Sequence, residues 1–92
     1  MKLEPPRTAT TNTEIKMAHK IDIRVGEIIK EERRAQGMTQ TQLAKKCGVR
    51  MQQIAKYESA ENRISVSRFC MIAKALRIRP AKLLQEATYG RW

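Results

Sequence analysis

Apolar and polar positions along the chain alternate in short helical patterns, and the clearest pattern covers residues 39 to 58. Gly48 divides this segment into two stretches, and glycine readily adopts the left-handed conformation that a sharp turn after a helix requires. Within each stretch, small or apolar residues recur at the spacings that place them on one helix face. The pattern predicts two short helices packed around a tight turn. Their inward residues are Leu43, Ala44, Cys47, Val49, Ile54 and Tyr57.

Another helix is predicted before this pair. Asp22 is a suitable N-cap, and Gly37 can end the helix near Gln36. The residues expected to face the core are Val25, Ile28 and Ile29. Thr39 is a plausible N-cap for the second helix, whereas Arg50, at the equivalent position before the third helix, is a poor capping residue.

Two more helices are predicted after the pair. Ser65 is the expected N-cap of the fourth, and Pro80 suits the first turn of a fifth that carries Leu83 and Leu84. The apolar spacing of the fourth helix predicts a buried face. That face would comprise Val66, Phe69, Cys70, Ala73 and Leu76.

The predicted organisation is an arm over residues 1–21, a folded domain over 22–86 and a tail over 87–92. The arm contains two adjacent prolines and a threonine-rich run, so we expect it to be flexible. An alternative is a strand or extra turn carrying Ile15, Met17 and Ile21 that docks on a partner. Tyr89 and Trp92 in the tail could form a dimer contact or remain loose.

The outward face of the third helix carries side chains that can read DNA bases. The amide of Gln52 can pair with N6 and N7 of adenine, and the ammonium of Lys56 can donate to O6 and N7 of guanine. The alternative interpretation is a solvated helix face.

Several segments in order resemble the Cro and phage-repressor family of helix-turn-helix regulators, also called the xenobiotic-response-element family. Residues 25–33 resemble its first helix, 37–40 its entry into the second and 72–76 its fourth. Residues 52–63 are similar to a subgroup common in alphaproteobacteria. The resemblance covers about residues 22 to 84 and implies an all-α, compact five-helix, lambda-repressor-like domain that binds DNA.

The resemblance also implies roles for particular residues. Arg33 and Glu58 would form a structural ion pair, and Ala44, Gly48 and Ile54 would build the scaffold. The expected base-reading residues are Met51, Gln52, Gln53 and Lys56. The expected phosphate contacts are Gln40, Arg50, Asn62 and Arg63.

The chain departs from the family pattern at several positions. Ser59 and Ala60 replace the usual glycine after the third helix, Ile64 stands where proline is frequent, and Glu32 where leucine is common. Met51 places a flexible apolar group among the readers, where it could contact a thymine methyl or simply pack. These departures concern the target sequence more than the fold.

Charge and composition agree with a polyanionic partner. Nineteen Lys and Arg against nine Asp and Glu give a net charge of +10. Residues 21–92 carry fifteen basic and seven acidic groups, so the charge belongs to the folded part. Non-specific binding to RNA or to an acidic protein would fit the same charge.

The sequence gives no indication of catalytic or metal chemistry. No phosphate loop, nucleophile elbow or metal-ligand spacing of Cys and His is present, so we expect no enzyme activity, metal or cofactor. Cys47 and Cys70 lie at apolar helix positions and are expected to be reduced core thiols. Without a long apolar run or a secretory signal, we expect a cytoplasmic, nucleoid-associated protein and no membrane partner.

These observations favour sequence-specific binding of double-stranded DNA by a homodimer, acting as a transcriptional regulator and most simply as a repressor at a palindromic operator. The predicted interface is the fifth helix, with Leu83 and Leu84, and the tail. One alternative is an antitoxin-like protein that binds a toxin partner and autoregulates its operon. A polymerase subunit is another conceivable protein partner, and a weaker alternative is nucleic-acid binding without sequence preference.

Overall fold

The computed structural model describes residues 12–88 and contains five helices within that range. The all-α, five-helix prediction is confirmed. The helices are α1 (Asn12–Ala35), α2 (Gln40–Cys47), α3 (Met51–Glu58), α4 (Val66–Ala75) and α5 (Pro80–Thr88).

The first helix begins at Asn12, eleven residues before Ile23, the first residue after the predicted N-cap. Asp22 is therefore not its N-cap, and residues 12–21 of the predicted arm are helical. This stretch contains good helix formers, including Glu14, Met17 and Ala18, so the helix can extend from a packed segment without a new nucleation step. Residues 1–11, which complete the predicted arm, lie outside the described residues.

Local interactions explain the bounds of α2. The Thr39 hydroxyl accepts a hydrogen bond from the Gln42 amide at 3.0 Å, and the Gln42 side chain accepts one from the Thr39 amide at 2.7 Å. This reciprocal capping box satisfies two amides at the start of the helix. Gly48 ends it with φ +71°, as the sequence predicted. At the start of α3, Arg50 makes no side-chain capping bond.

The core lies between all five helices. In the described part of the chain, α1 packs against α3 and α5, while α2 packs against α3 and α4. Burial of each large aliphatic side chain contributes about 1.5–3 kcal/mol. The largest fully buried side chains are Ile28, Ile29, Leu43, Ile54, Ile72, Leu76 and Leu83.

Two predicted core residues of α4 are instead exposed. Val66 is 80% exposed, and Cys70 also faces solvent. Ile72, which the predicted stripe omitted, is fully buried. The neighbouring helices cover only one side of α4, and the face they cover is rotated away from Val66 and Cys70. The core-thiol prediction is therefore correct for Cys47 and wrong for Cys70, although both cysteines are free.

The fifth helix divides its two leucines between the core and the surface. Leu83 is fully buried, so the prediction that it contributes to a subunit interface is wrong, whereas Leu84 is 47% exposed. Ala87 is also buried, which extends the packed domain beyond residue 86. Tyr89 and Trp92 lie outside the described residues.

Gly26 allows α1 to cross the end of α3 at close range. A Cβ atom at this position would lie 2.6 Å from the backbone carbonyl oxygens of both Tyr57 and Glu58. Such a separation is well inside the optimal contact distance of about 3.5–4.0 Å. The glycine therefore determines how near the C-terminal end of α3 can approach α1.

Ala60 takes the place of the glycine that commonly follows the third helix. Its φ is +65°, and its amide donates to the Tyr57 carbonyl at 3.1 Å. The Glu61 amide then donates to the Lys56 carbonyl at 2.9 Å. The turn thus keeps a left-handed geometry, at a cost of about 1–2 kcal/mol for a residue with a Cβ.

Candidate nucleic-acid interface

The helix α3 divides into a buried face and an outward face. Ile54, Tyr57 and Glu58 are buried, which fixes the rotation of the helix about its axis. The predicted base-reading residues lie elsewhere on the helix: Met51, Gln52 and Lys56 are exposed, and Gln53 is half-buried at the border. A partner that approaches the outward face would meet amide, ammonium and thioether groups.

A buried ion pair holds the C-terminal end of α3 against α1. Arg33 Nε donates to Glu58 Oε2 at 2.6 Å, and Arg33 Nη2 donates to Glu58 Oε1 at 3.1 Å. Arg33 Nη1 also donates to the Met38 carbonyl at 2.7 Å, in the connection before α2. The paired geometry expected from the resemblance is therefore present, and it links α1, α3 and the start of α2.

Gln40 extends this network to the surface. It is the first residue of α2, and its side-chain amide donates to Glu58 Oε1 at 3.0 Å. One amide hydrogen is thus committed to the ion pair, which leaves the second hydrogen available to an incoming acceptor. Lys30 and Arg34 line an open cleft with Gln40, so the surroundings are basic.

The other predicted phosphate contacts occupy two separate places. Arg50 is exposed at the start of α3, whereas Asn62 and Arg63 are exposed in the connection from α3 to α4. Arg63 Nε donates to Asp22 Oδ2 of α1 at 3.1 Å. To bind a phosphate, the exposed Arg63 guanidinium would therefore have to leave the half-buried Asp22 carboxylate or contact both anions at once.

Sequence reasoning missed Arg68. This half-buried residue in the first turn of α4 lines one cleft together with Arg50, Gln52, Gln53 and Lys56. A cation in the first turn of a helix is unfavourable beside the positive end of the helix dipole. That unfavourable placement was the available signal in the sequence, but only packing shows that Arg68 lies beside α3.

The charge at the helix starts favours an anionic partner. None of the first turns of α2, α3 and α4 contains an acidic residue. Amide groups and the dipole at a helix N-terminus attract anions, and carboxylates there would compete with an external phosphate. The first turns of these three helices therefore hold no carboxylate that would repel an incoming phosphate.

Cys47 is buried behind this surface. Burial raises the pKa of its thiol, and the charge of the nearby Arg68 partly offsets that rise. The thiol donates to the Met71 carbonyl at 4.0 Å, so it links α2 to α4 as a neutral group.

Among the side chains of residues 20–88, no group of three or more His, Cys, Asp or Glu is arranged to hold a metal ion. No helix within residues 12–88 is both long enough and apolar enough to cross a membrane.

Comparison with known proteins identifies similar chains. The helix-turn-helix family model matches residues 29–83. An uncharacterised HTH-type transcriptional regulator of Sinorhizobium fredii is 38% identical over 66 residues, which cover 72% of this chain and 46% of the relative. A transcriptional regulator encoded in the ATPase CF(0) region of Rhodospirillum rubrum is 47% identical over 60 residues, covering 65% of this chain and 56% of that protein. The chain thus spans about half the length of the curated relatives it matches.

Solved structures show the same arrangement of helices. The restriction-modification controller protein C.AhdI from Aeromonas hydrophila has a TM-score of 0.64 and 28% identity, covering 66% of this chain and 92% of that chain. The clp gene regulator ClgR from Corynebacterium glutamicum has a TM-score of 0.72 and 21% identity, covering 78% and 94%. The second likeness concerns the fold alone.

Proposed function

Since the chain belongs to the Cro and phage-repressor-like family of helix-turn-helix transcriptional regulators, we propose that it binds double-stranded DNA sequence-specifically and regulates transcription. The observation that carries this proposal is the outward face of α3. Polar side chains able to contact bases are exposed there, while the opposite face of the helix is buried in the core. The similarity to regulators of Sinorhizobium fredii and Rhodospirillum rubrum confirms the alphaproteobacterial resemblance seen in the sequence.

In the proposed complex, α3 enters the major groove. Gln52 and Lys56 contact base edges, Gln53 lies at the side of the groove, and Met51 makes an apolar contact such as that with a thymine methyl. Phosphate contacts then fix the register of the protein without reading sequence. We assign these contacts to Gln40, Arg50, Asn62 and Arg63.

The chain acts in this proposal as a homodimer that represses transcription by occluding a promoter, in the nucleoid of the cytoplasm. One short recognition helix contacts too few base pairs to specify a unique site in a genome. Pairing of two copies about a two-fold axis doubles the length of the site, with half-sites about 34 Å apart. The exposed Leu84 of α5 supports a contact between two copies. The antitoxin-like alternative depended on the arm and on Tyr89 and Trp92. Residues 1–11 of the arm and both aromatic residues lie outside the described residues.

Selection of bound duplexes from a random DNA pool tests the function most directly. We expect a palindromic consensus and two chains for each bound duplex. A consensus without two-fold symmetry would reject the dimer model. Absence of any enrichment, with duplex binding retained, would indicate binding without sequence preference, and absence of binding would reject the proposal itself.

Base reading by Gln52 can be separated from general affinity. We expect Gln52→Ala to weaken binding to the selected site by about 1 to 3 kcal/mol and to leave binding to random duplex almost unchanged. Quantitative titrations on both duplexes measure the two effects, and Gln85→Ala on the exposed part of α5 serves as the control. Equal losses on both duplexes would exclude Gln52 as a base reader.

Arg63 gives the complementary prediction for a phosphate contact. We expect Arg63→Ala to lower affinity on every sequence and to reduce the slope of log K against log salt by about one. Asp22→Asn should act in the opposite direction and strengthen binding about two- to fivefold, because the exposed ion pair with Arg63 is worth about 0.2–1 kcal/mol. A salt slope unchanged by Arg63→Ala would contradict this assignment.

A further inference from the structure

Arg68 occupies a different position from the phosphate contacts predicted by the sequence. It lies in the first turn of α4, and the Ser65 hydroxyl that caps this helix accepts a hydrogen bond from the Arg68 amide at 3.2 Å. The cap fixes the backbone of Arg68 relative to the connection after α3. The side chain is half-buried, and its charge lies near enough to Cys47 to offset part of the rise that burial causes in the pKa of that thiol.

The cleft that contains Arg68 joins α4 to the proposed reading face. Arg50 and Lys56 also line it, and its lining includes no carboxylate. Three cationic side chains therefore surround one concave surface beside α3. Such a surface concentrates positive potential and attracts an anion.

The guanidinium of Arg68 has no competing acid within the described residues. Arg24, Arg33 and Arg63 each pair with a carboxylate, whereas no salt bridge or side-chain hydrogen bond of Arg68 is found among those residues. A half-buried arginine side chain also samples fewer rotamers than a fully exposed one, so it loses less conformational entropy when it binds a phosphate. Its planar fork can hold a phosphate through two parallel hydrogen bonds.

We propose that Arg68 is a further DNA contact, which binds a backbone phosphate on the α4 side of the groove entered by α3. This inference rests on the proposed function and extends it. The major groove is about 12 Å wide, and a helix within it has a phosphate strand on each side. Arg68 lies on α4 at the edge of this cleft, whereas the base-reading residues that line the cleft lie on α3, so we assign Arg68 to the phosphate strand beside the groove. Gln40, on α2, is the proposed phosphate contact on a helix that packs against α3.

The test uses the full chain with both the selected duplex and a random duplex. We expect Arg68→Gln to reduce affinity about tenfold on both duplexes, since the variant loses a charge-assisted hydrogen bond to a phosphate. The salt slope should fall by about one. Arg68→Lys should restore the slope but only part of the affinity, because an ammonium lacks the planar fork.

Arg79→Gln is the matched control. It removes the same charge from an exposed position just beyond the opposite end of α4, and a helix of ten residues is about 15 Å long. We expect Arg79→Gln to change affinity and slope much less than Arg68→Gln. Equal effects of the two variants would overturn the proposal, because they would show that only net charge matters.

Duplexes with a single neutral methylphosphonate supply a readout that a purely structural role of Arg68 would not move. At one phosphate position, the substitution should weaken DNA binding by the unaltered protein and leave DNA binding by the Arg68→Gln variant unchanged. Full sensitivity of Arg68→Gln at every phosphate would overturn the proposal. If the unaltered chain binds no duplex, the proposed function fails; if it binds normally and Arg68→Gln does too, only the role of Arg68 fails.

Discussion

Glu58→Gln is expected to destabilise the fold by about 3 to 5 kcal/mol, the usual cost of removing one partner from a buried ion pair. The substitution preserves side-chain volume but removes the charge that accepts two hydrogen bonds from Arg33 and one from Gln40. Arg33 would remain buried without a counter-charge. A loss of this size is a large share of the 5–15 kcal/mol that typically stabilises a domain.

Urea unfolding of the variant and of the unaltered chain measures this difference. Glu61→Gln is the control, because Glu61 is exposed just after the same helix and has no ion pair among the described residues. It should change stability by less than about 0.5 kcal/mol. A loss below about 1 kcal/mol for Glu58→Gln would show that the pair is not effectively buried.

The double variant Arg33→Met, Glu58→Met distinguishes the pair from its individual charges. We expect it to recover much of the loss, because apolar side chains of similar size can replace a buried pair with little net cost. The two substitutions should therefore be strongly non-additive. DNA binding by the folded double variant would still fall, since Gln40 would lose the acceptor that orients its amide.

Gly26→Ala has the second largest expected effect, a loss of about 2 to 3 kcal/mol. Helix propensity alone predicts a gain of about 0.5–1 kcal/mol, because Gly26 lies inside α1. The added methyl group, however, would lie 2.6 Å from two backbone carbonyl oxygens of α3. Neither oxygen can move without shifting the end of α3, so the overpacking cost exceeds the gain from propensity.

Gly37→Ala is the contrasting control for this experiment. Nothing lies within 4 Å of a Cβ placed at Gly37, but its φ of +69° disfavours a side chain. We expect a loss of about 1 kcal/mol from backbone strain alone. Denaturant titration should therefore rank Gly26→Ala as the more damaging change, and a stabilised Gly26→Ala variant would show that α1 can move away from α3.

These two sites explain how α1 supports the proposed reading surface. Gly26 determines the distance between α1 and the end of α3, and Arg33 fixes the orientation of that end through Glu58. Neither residue lies on the outward face of α3. The position of the readers therefore depends on contacts made behind them.

Local chemistry made much of the fold predictable. Thr39 and Ser65 cap their helices, Gly48 ends α2 and Pro80 begins α5, as expected from side-chain hydrogen bonding and allowed backbone angles. Each of these signals acts within a few residues and is visible in the sequence. The early start of α1 at Asn12 was missed because the expectation for that segment relied on its low apolar content, whereas a helix can continue on backbone hydrogen bonds alone.

What the sequence by itself determined is the set of helices, the caps of α2 and α4 and the polar side of α3, because periodicity and capping are local properties. Only the tertiary structure decided which apolar residues reach the core: Val66 and Cys70 match the helical period of α4, yet they face solvent because no helix covers that side. The tertiary structure also decided that Gly26 lies against the end of α3 and that Arg68 shares a cleft with Arg50 and Lys56. Those relations join residues that are distant in sequence, and their physical basis is the packing of one helix against another.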